Sequence, residues 1–382
     1  MPERIYLDHN ATTPVDPEVR EAMLPFLGGD YGNPSSLHWF GQRARAAIEE
    51  ARVLVAALVG ATASEIVFTS GGSESDNLAL RGVAAKAGPS RRGIVCSAIE
   101  HHAVLRSARA LRDEGWPVRI ARVGEDGVLD LDALAADVDG TTVLVSIMLA
   151  NNETGVLQPV AEAARLARAC GALVHCDAVQ AAGRVEIGVR ALDVDLLTVS
   201  AHKIYGPKGV GALYVRRGTP MAPLVRGGAQ ERNRRAGTEN VAGVVGFGVA
   251  ADLARRRREE DAARLAALRD RLERLLLEVP GTRRNGEGPR VPNTTNVSFE
   301  GADAEALLFA LDLEGIAVST GAACAAGGVE PSHVLRAMGY APERVQSSLR
   351  LSLGRTTSEA DVERAAEAIA SVVDRHRARR RG

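Results

Sequence analysis

Lys203 lies in Val199-Ser200-Ala201-His202-Lys203-Ile204-Tyr205-Gly206-Pro207-Lys208-Gly209, between the apolar run Leu196-Leu197-Thr198-Val199 and a second at residues 210–215. That pattern puts it where one buried strand ends and the chain turns back into another. A lysine in a partly desolvated turn beside His202 is pushed toward its neutral amine, which can form a Schiff base, whereas a lysine in an exposed turn has no such chemistry. Asp177 follows the apolar run ending at Cys176, with Gln180 three residues on, so both can project from one edge of the same crevice. A carboxylate there either caps a helix or, facing a pyridine nitrogen, keeps that ring protonated and able to accept electrons. Ser70-Gly71-Gly72-Ser73-Glu74 opens a helix directly after a strand. Its backbone N–H groups and helix dipole suit a single phosphate, although glycine at such a turn also serves tight packing. Cys324 sits in Gly321-Ala322-Ala323-Cys324-Ala325-Ala326-Gly327-Gly328, where no bulky side chain anchors it. Its thiol is either packed in a small-residue turn or able to move between a buried substrate and an external acceptor.

The elements that must position these groups read as an α/β chain. Strand-like runs at residues 66–69, 93–96, 118–121, 142–149 and 172–176 alternate with helical spacing at 74–87, 103–114, 131–137 and 159–170. Helices between strands imply crossovers and a largely parallel sheet covered on both faces, with ligands collecting at the carboxyl ends of the strands. Residues 240–279 read as one long helix bridging two bodies, and its charge run Arg255-Arg256-Arg257-Arg258-Glu259-Glu260-Asp261 reads as a solvated face. The expected boundary falls near Leu253, giving a large domain over 15–253 and a smaller α+β domain from 1–14 and 254–382. The arginine-rich end, Arg375 onward, reads as a frayed, solvated terminus.

Composition narrows the function classes. With 47 basic and 48 acidic residues the formal charge is −1, which provides no whole-protein field for nucleic acid or an acidic membrane and favours a small ligand. No signal peptide or membrane-spanning run is visible, and the four cysteines are neither regularly spaced nor set as CxxC. The expectation is a cytoplasmic protein with free thiols. His175 and Cys176 point to opposite faces of a strand and do not suit a shared metal.

Taken together, these stretches resemble the pyridoxal-phosphate cysteine desulfurases of the class V aminotransferase superfamily, the type that serves iron–sulfur cluster assembly and nitrogen fixation. The resemblance runs in order through Ala11-Thr12-Thr13-Pro14, Gly32-Asn33-Pro34-Ser35-Ser36, residues 69–77, Glu100-His101, Asn151-Asn152-Glu153-Thr154-Gly155, residues 175–180, 200–209, 227–238, 319–324 and 350–354. It implies a fold type I enzyme with a mostly parallel seven-stranded sheet. It implies that Lys203 binds the cofactor covalently and moves protons, that Asp177 pairs with the pyridinium nitrogen, that Gln180 bonds the ring hydroxyl and that His101 stacks on the ring. Ser73, Ser200 and His202 would hold the phosphate, with Thr238 reaching in from the partner subunit of a homodimer. Asn152 and Arg350 would clamp the carboxylate of L-cysteine, Arg350 through its planar fork. Cys324, in a loop at about 318–330, would attack the substrate sulfur and become a persulfide, leaving alanine. The expected partner is a sulfur-acceptor protein, either an iron–sulfur scaffold or a tRNA-thiolation carrier. The alternative within the superfamily is an aminotransferase or selenocysteine lyase.

Overall fold

Seven strands form one sheet in the order Ile66–Thr69, Gly211–Val215, Leu196–Ser200, Leu173–Asp177, Thr142–Ser146, Gly93–Ser97, Val118–Ala121. Every neighbouring pair is parallel except the two made by Gly211–Val215, which runs antiparallel to both its neighbours. The linkers explain this. Helices Gly72–Ala84, His102–Asp113, Leu131–Asp137 and Val160–Ala169 carry crossovers between parallel strands, whereas only the lysine turn joins Leu196–Ser200 to Gly211–Val215. In this computed structural model the described residues are 4–381 without 322–323, 326–327 and 330; for 324–325, 328–329 and 380–381 only the backbone path is described.

The expected 142–149 strand is shorter, ending at Ser146. Leu149 N–H still bonds Asp177 O (2.8 Å), but on the other side Glu100 Oε1, past the end of the neighbouring strand, takes the Met148 N–H at 2.7 Å. A side chain therefore replaces the ladder and lets the chain leave the sheet.

Two apolar cores flank the long helix Val241–Leu277. Its Val244, Phe247, Ala250, Leu253 and Ala254 join the large-sheet core, while Leu265, Leu268, Leu272 and Leu276 join a second core with Val297, Phe299, Leu349, Leu351 and Ile369. At 1.5 Å per residue the helix spans about 55 Å, enough to serve both. The charge run falls where the apolar stripe changes partner: Arg257 reaches Asp16 and Glu18, and Asp261 pairs with Arg355. The second core is covered by an antiparallel sheet, Ser348–Ser352, Thr294–Phe299, Thr282–Arg284, and includes Ile5 and Leu7 from the start of the chain. Ile5–Tyr6 pairs in parallel with Ile316–Ala317, a two-residue ladder too short for a sequence signal.

The arginine-rich end corrects the expectation of a frayed terminus, because the helix Glu359–Arg381 continues through it. Arg375 pairs with Glu314, and Arg377 Nε donates to Glu300 O at 2.9 Å, so partners on the body hold the last turns.

Candidate active site

The cavity lies at the carboxyl ends of the parallel strands, has a volume of about 400 Å³, and is lined by residues of the large sheet's strand ends and by Arg350 of the smaller antiparallel sheet. Lys203 ends a single 3₁₀ turn, Ala201–Lys203, directly after Leu196–Ser200. Its Nζ donates to Asn10 O (2.5 Å) and Ala11 O (2.7 Å), with no carboxylate bonded to it among the described residues. Burial, with the positive fields of Arg350 and Arg184, pushes this amine down to about 7, so a large neutral fraction exists at physiological pH. His202 accepts or donates at Thr12 Oγ1 (3.2 Å), and burial holds its ring at about 4.

Asp177 closes the neighbouring strand, accepting the Val179 N–H at 2.9 Å, and burial raises its carboxyl to about 6. At physiological pH this carboxyl is still mostly charged, and a cation beside it favours the charged form further. His101 is the N-cap of His102–Asp113, its Nδ1 accepting the Ala103 N–H at 3.2 Å. Surrounding protein keeps the ring neutral, with a pKa of about 4, so the proton sits on Nε2. Ser73 stands in the first turn of Gly72–Ala84, whose start is packed closely: a Cβ on Gly211 would lie 2.7 Å from Gly71 Cα.

Across the cavity, Arg350 projects from Ser348–Ser352, its Nη2 on Asp8 (2.6 Å) and its Nη1 on Asn152 O (3.0 Å). Of the residues singled out from sequence, Lys203, Asp177, Gln180, His101, Ser73, Ser200, His202, Asn152 and Arg350 line this one cavity. Thr238 does not; it is exposed on the chain between the short helix Gln230–Asn233 and the long helix. Cys324 begins the two-residue strand Cys324–Ala325, antiparallel to Gly328–Val329; its side chain lies outside the described residues.

Several lining residues carried no sequence signal of their own. Glu153 is fully buried, accepts Ser332 Oγ at 2.5 Å, and is raised by burial to about 7. Gly321 packs against the same carboxylate, where a Cβ would lie 3.0 Å from Oε2. Asp76, beneath the cavity floor, is raised by burial and by Asp177, and its Oδ1 lies 3.6 Å from His175 Nε2. His175 itself bonds Ser146 and Thr198, while Cys176 faces the apolar core. Asn10 and His333 complete the rim.

The donor set suits a phosphorylated pyridine aldehyde. Ser200 Oγ, Asn152 Oδ1 and Arg350 Nε are buried without a partner among the described residues, on residues that all line the cavity. Buried polar groups are rarely left so: Ser200 Oγ and Arg350 Nε can each donate to an anionic group of a ligand, and Asn152 Oδ1 can accept from a ligand N–H.

A model of the aminotransferase class-V family matches residues 5–365. The chain belongs to that family. A curated family member, the cysteine desulfurase of Trichormus azollae, is 50% identical over 376 residues, covering 98% of this chain and 94% of that one. Among solved structures, a NifS-like protein superposes with a TM-score of 0.91 at 39% identity, covering 97% of this chain and 99% of that one. Another, SspA in complex with cysteine, superposes with a TM-score of 0.82 at 34% identity over 91% of this chain and 98% of that one. Class-V family members use pyridoxal phosphate, and the lysine, aspartate and serine hydroxyls described above occupy one cavity of this member.

Proposed function

We infer that this chain is a pyridoxal-phosphate-dependent cysteine desulfurase, converting L-cysteine and an enzyme thiol into L-alanine and an enzyme persulfide. The observation that carries the reading is a half-buried lysine, its amine pushed down by its surroundings, that shares one cavity with a buried arginine whose Nε has no partner among the described residues. The rival transaminase reading has no use for Cys324.

Lys203 would hold the cofactor, with Asp177 at the ring nitrogen, Gln180 at the ring hydroxyl, His101 on the ring face, and Ser73, Ser200 and His202 on the phosphate. The cofactor supplies an aldehyde for the substrate amine and a ring that withdraws electrons from the substrate carbons. Arg350 binds the substrate carboxylate with its fork and Asn152 supports it, which fixes the thiol end of cysteine toward the Cys324 segment. Lys203 Nζ, neutral above pH 7, takes up and returns a proton at the substrate carbons. Cys324 attacks the substrate sulfur as thiolate; the C–S bond breaks, the S–S bond forms, and the carbon receives a proton to become alanine. Cys96 and Cys176 are poor rivals, since burial raises both thiols.

The reading places the active site between two domains, 15–253 and 1–14 with 254–382. It further takes the molecule as a homodimer in which Thr238 serves the neighbouring cavity. The exposed cluster Tyr31, Leu37, Trp39 and Phe40 supports an apolar interface, with Tyr31 and Phe40 stacked 5.6 Å apart. A sulfur-acceptor protein would then relieve the persulfide.

The test is incubation of the cofactor-loaded protein with L-cysteine, alanine analysis and mass mapping of the cysteines. Alanine together with a 32 Da increment on the Cys324 peptide is expected from one added sulfur. Alanine with that peptide unmodified removes the proposed nucleophile.

A further inference from the structure

The amide of Gln180 can offer the cavity a donor or an acceptor, and two neighbours decide which. Arg184 Nη1 donates to Gln180 Oε1 at 2.5 Å and to Gln180 O at 2.7 Å. A guanidinium cannot accept, so the atom facing it is the amide oxygen. On the other side Gln180 Nε2 donates to Asn10 O at 2.9 Å. A carbonyl oxygen cannot donate, so that atom is the nitrogen. The same Asn10 O receives Lys203 Nζ at 2.5 Å. Arg184, Gln180, the Asn10 carbonyl and Lys203 therefore form one hydrogen-bonded chain linking the active-site cavity to a second cavity of about 30 Å³ behind it.

We propose that Arg184 is a positioning residue that locks the Gln180 amide with its NH2 group toward the cavity, so that the ring oxygen of the bound cofactor meets a donor. This rests on the cofactor reading above. One Nε2 hydrogen is taken by Asn10 O, and the other is left for the cavity that Gln180 lines. A donor at that place favours the deprotonated ring oxygen. Arg184 is suited to the task because, among the described residues, no carboxylate pairs with it, and both acceptors of its Nη1 belong to Gln180. Its field also reaches Lys203, where Arg350 acts in the same sense, Asp8 and Asp177 act against, and His101 and His202 are neutral.

The experiment is a pH titration of the visible absorbance of the full-length, pyridoxal-phosphate-loaded protein. Arg184→Met is expected to raise the midpoint by about one unit, a tenfold change in proton affinity, and Arg184→Lys to restore at least half of that. In a Gln180→Leu background the effect of Arg184→Met should fall by half or more, because the partner it orients is gone. If Arg184→Met does not fold, Arg184→Gln, which donates or accepts and so dictates no orientation, is read in the same way. An unmoved midpoint, or an equal shift in both backgrounds, overturns the inference alone. Absence of any visible band in the unsubstituted protein overturns the cofactor reading and this inference with it.

Discussion

The two walls of the cavity are built on different physics. On the wall of Lys203, Asp177 and Ser200, functional groups sit at or just past the ends of neighbouring strands, and burial drives them toward neutrality: the amine down to about 7, the aspartate up to about 6. On the wall of Arg350 the groups come from distant parts of the chain: Arg350 is held through charge on Asp8, 342 residues away, and Glu153 is held by a hydrogen bond from Ser332, 179 residues away. The first wall stores reactivity, since an uncharged lysine is a nucleophile and a base. The second stores recognition, since Asp8 and the Asn152 carbonyl fix the two Nη groups of Arg350 while its Nε has no partner among the described residues and can meet a ligand's anionic group.

The largest effect should come from the first wall. Lys203→Ala removes both the cofactor attachment and the proton carrier, and alanine production should fall by about 10⁴-fold or more. Borohydride reduction of the loaded protein should then leave no cofactor on the 203 peptide. Turnover within tenfold of the unsubstituted enzyme would mean that the neutral-amine wall is not where the chemistry happens. Cofactor uptake by the cofactor-free protein should also slow as pH falls through about 7, because the depressed free amine is protonated below that point. A flat rate between pH 6 and 8 would argue against it.

A smaller effect is expected from the second wall. Arg350→Lys keeps the charge but loses the planar fork, and a charge-assisted hydrogen bond contributes about 1.5–3 kcal/mol. KM for L-cysteine should therefore rise by about 10- to 100-fold, with a milder change in kcat. Steady-state kinetics at saturating cofactor decide this; an unchanged KM with a collapsed kcat would move Arg350 from recognition to chemistry.

The walls also differ in how far the sequence reveals them. Local signals mark the first: an apolar run, a turn and a lysine place Lys203, and the same logic places Asp177 and Gln180. The sheet follows from alternating patterns, and the strands at 66–69 and 118–121 begin and end as expected. No local pattern marks the second wall. Arg350 in Ser348–Ser352 alternates like any strand residue, and only family resemblance singled it out. Asp8 as its partner, Glu153 beneath Gly321, and Arg184 behind Gln180 are contacts between remote segments, and a linear reading has no term for them. The 142–149 run failed for a related reason, since the group that ends it, Glu100, belongs to a different strand's loop.

The smallest prediction concerns Glu153, the exception on its wall, where burial rather than pairing dominates. Its carboxyl is raised from 4.5 to about 7. Between those values the folded protein holds a proton that the unfolded chain has released. Stability contributed by this group is therefore full below about pH 4.5, declines as pH rises, and is gone above about 7; the loss is at most about 3 kcal/mol. Glu153→Gln keeps an acceptor for Ser332 Oγ and cannot titrate. Urea unfolding at pH 5 and pH 8 should show the unsubstituted protein losing more stability over that interval than the variant, while Asp76, Glu100 and Asp177 titrate in both and cancel in the difference. Parallel losses in the two proteins would mean that Glu153 is already charged at pH 5. The recognition wall would then be ionic throughout, and the contrast with the lysine wall would be sharper than drawn here.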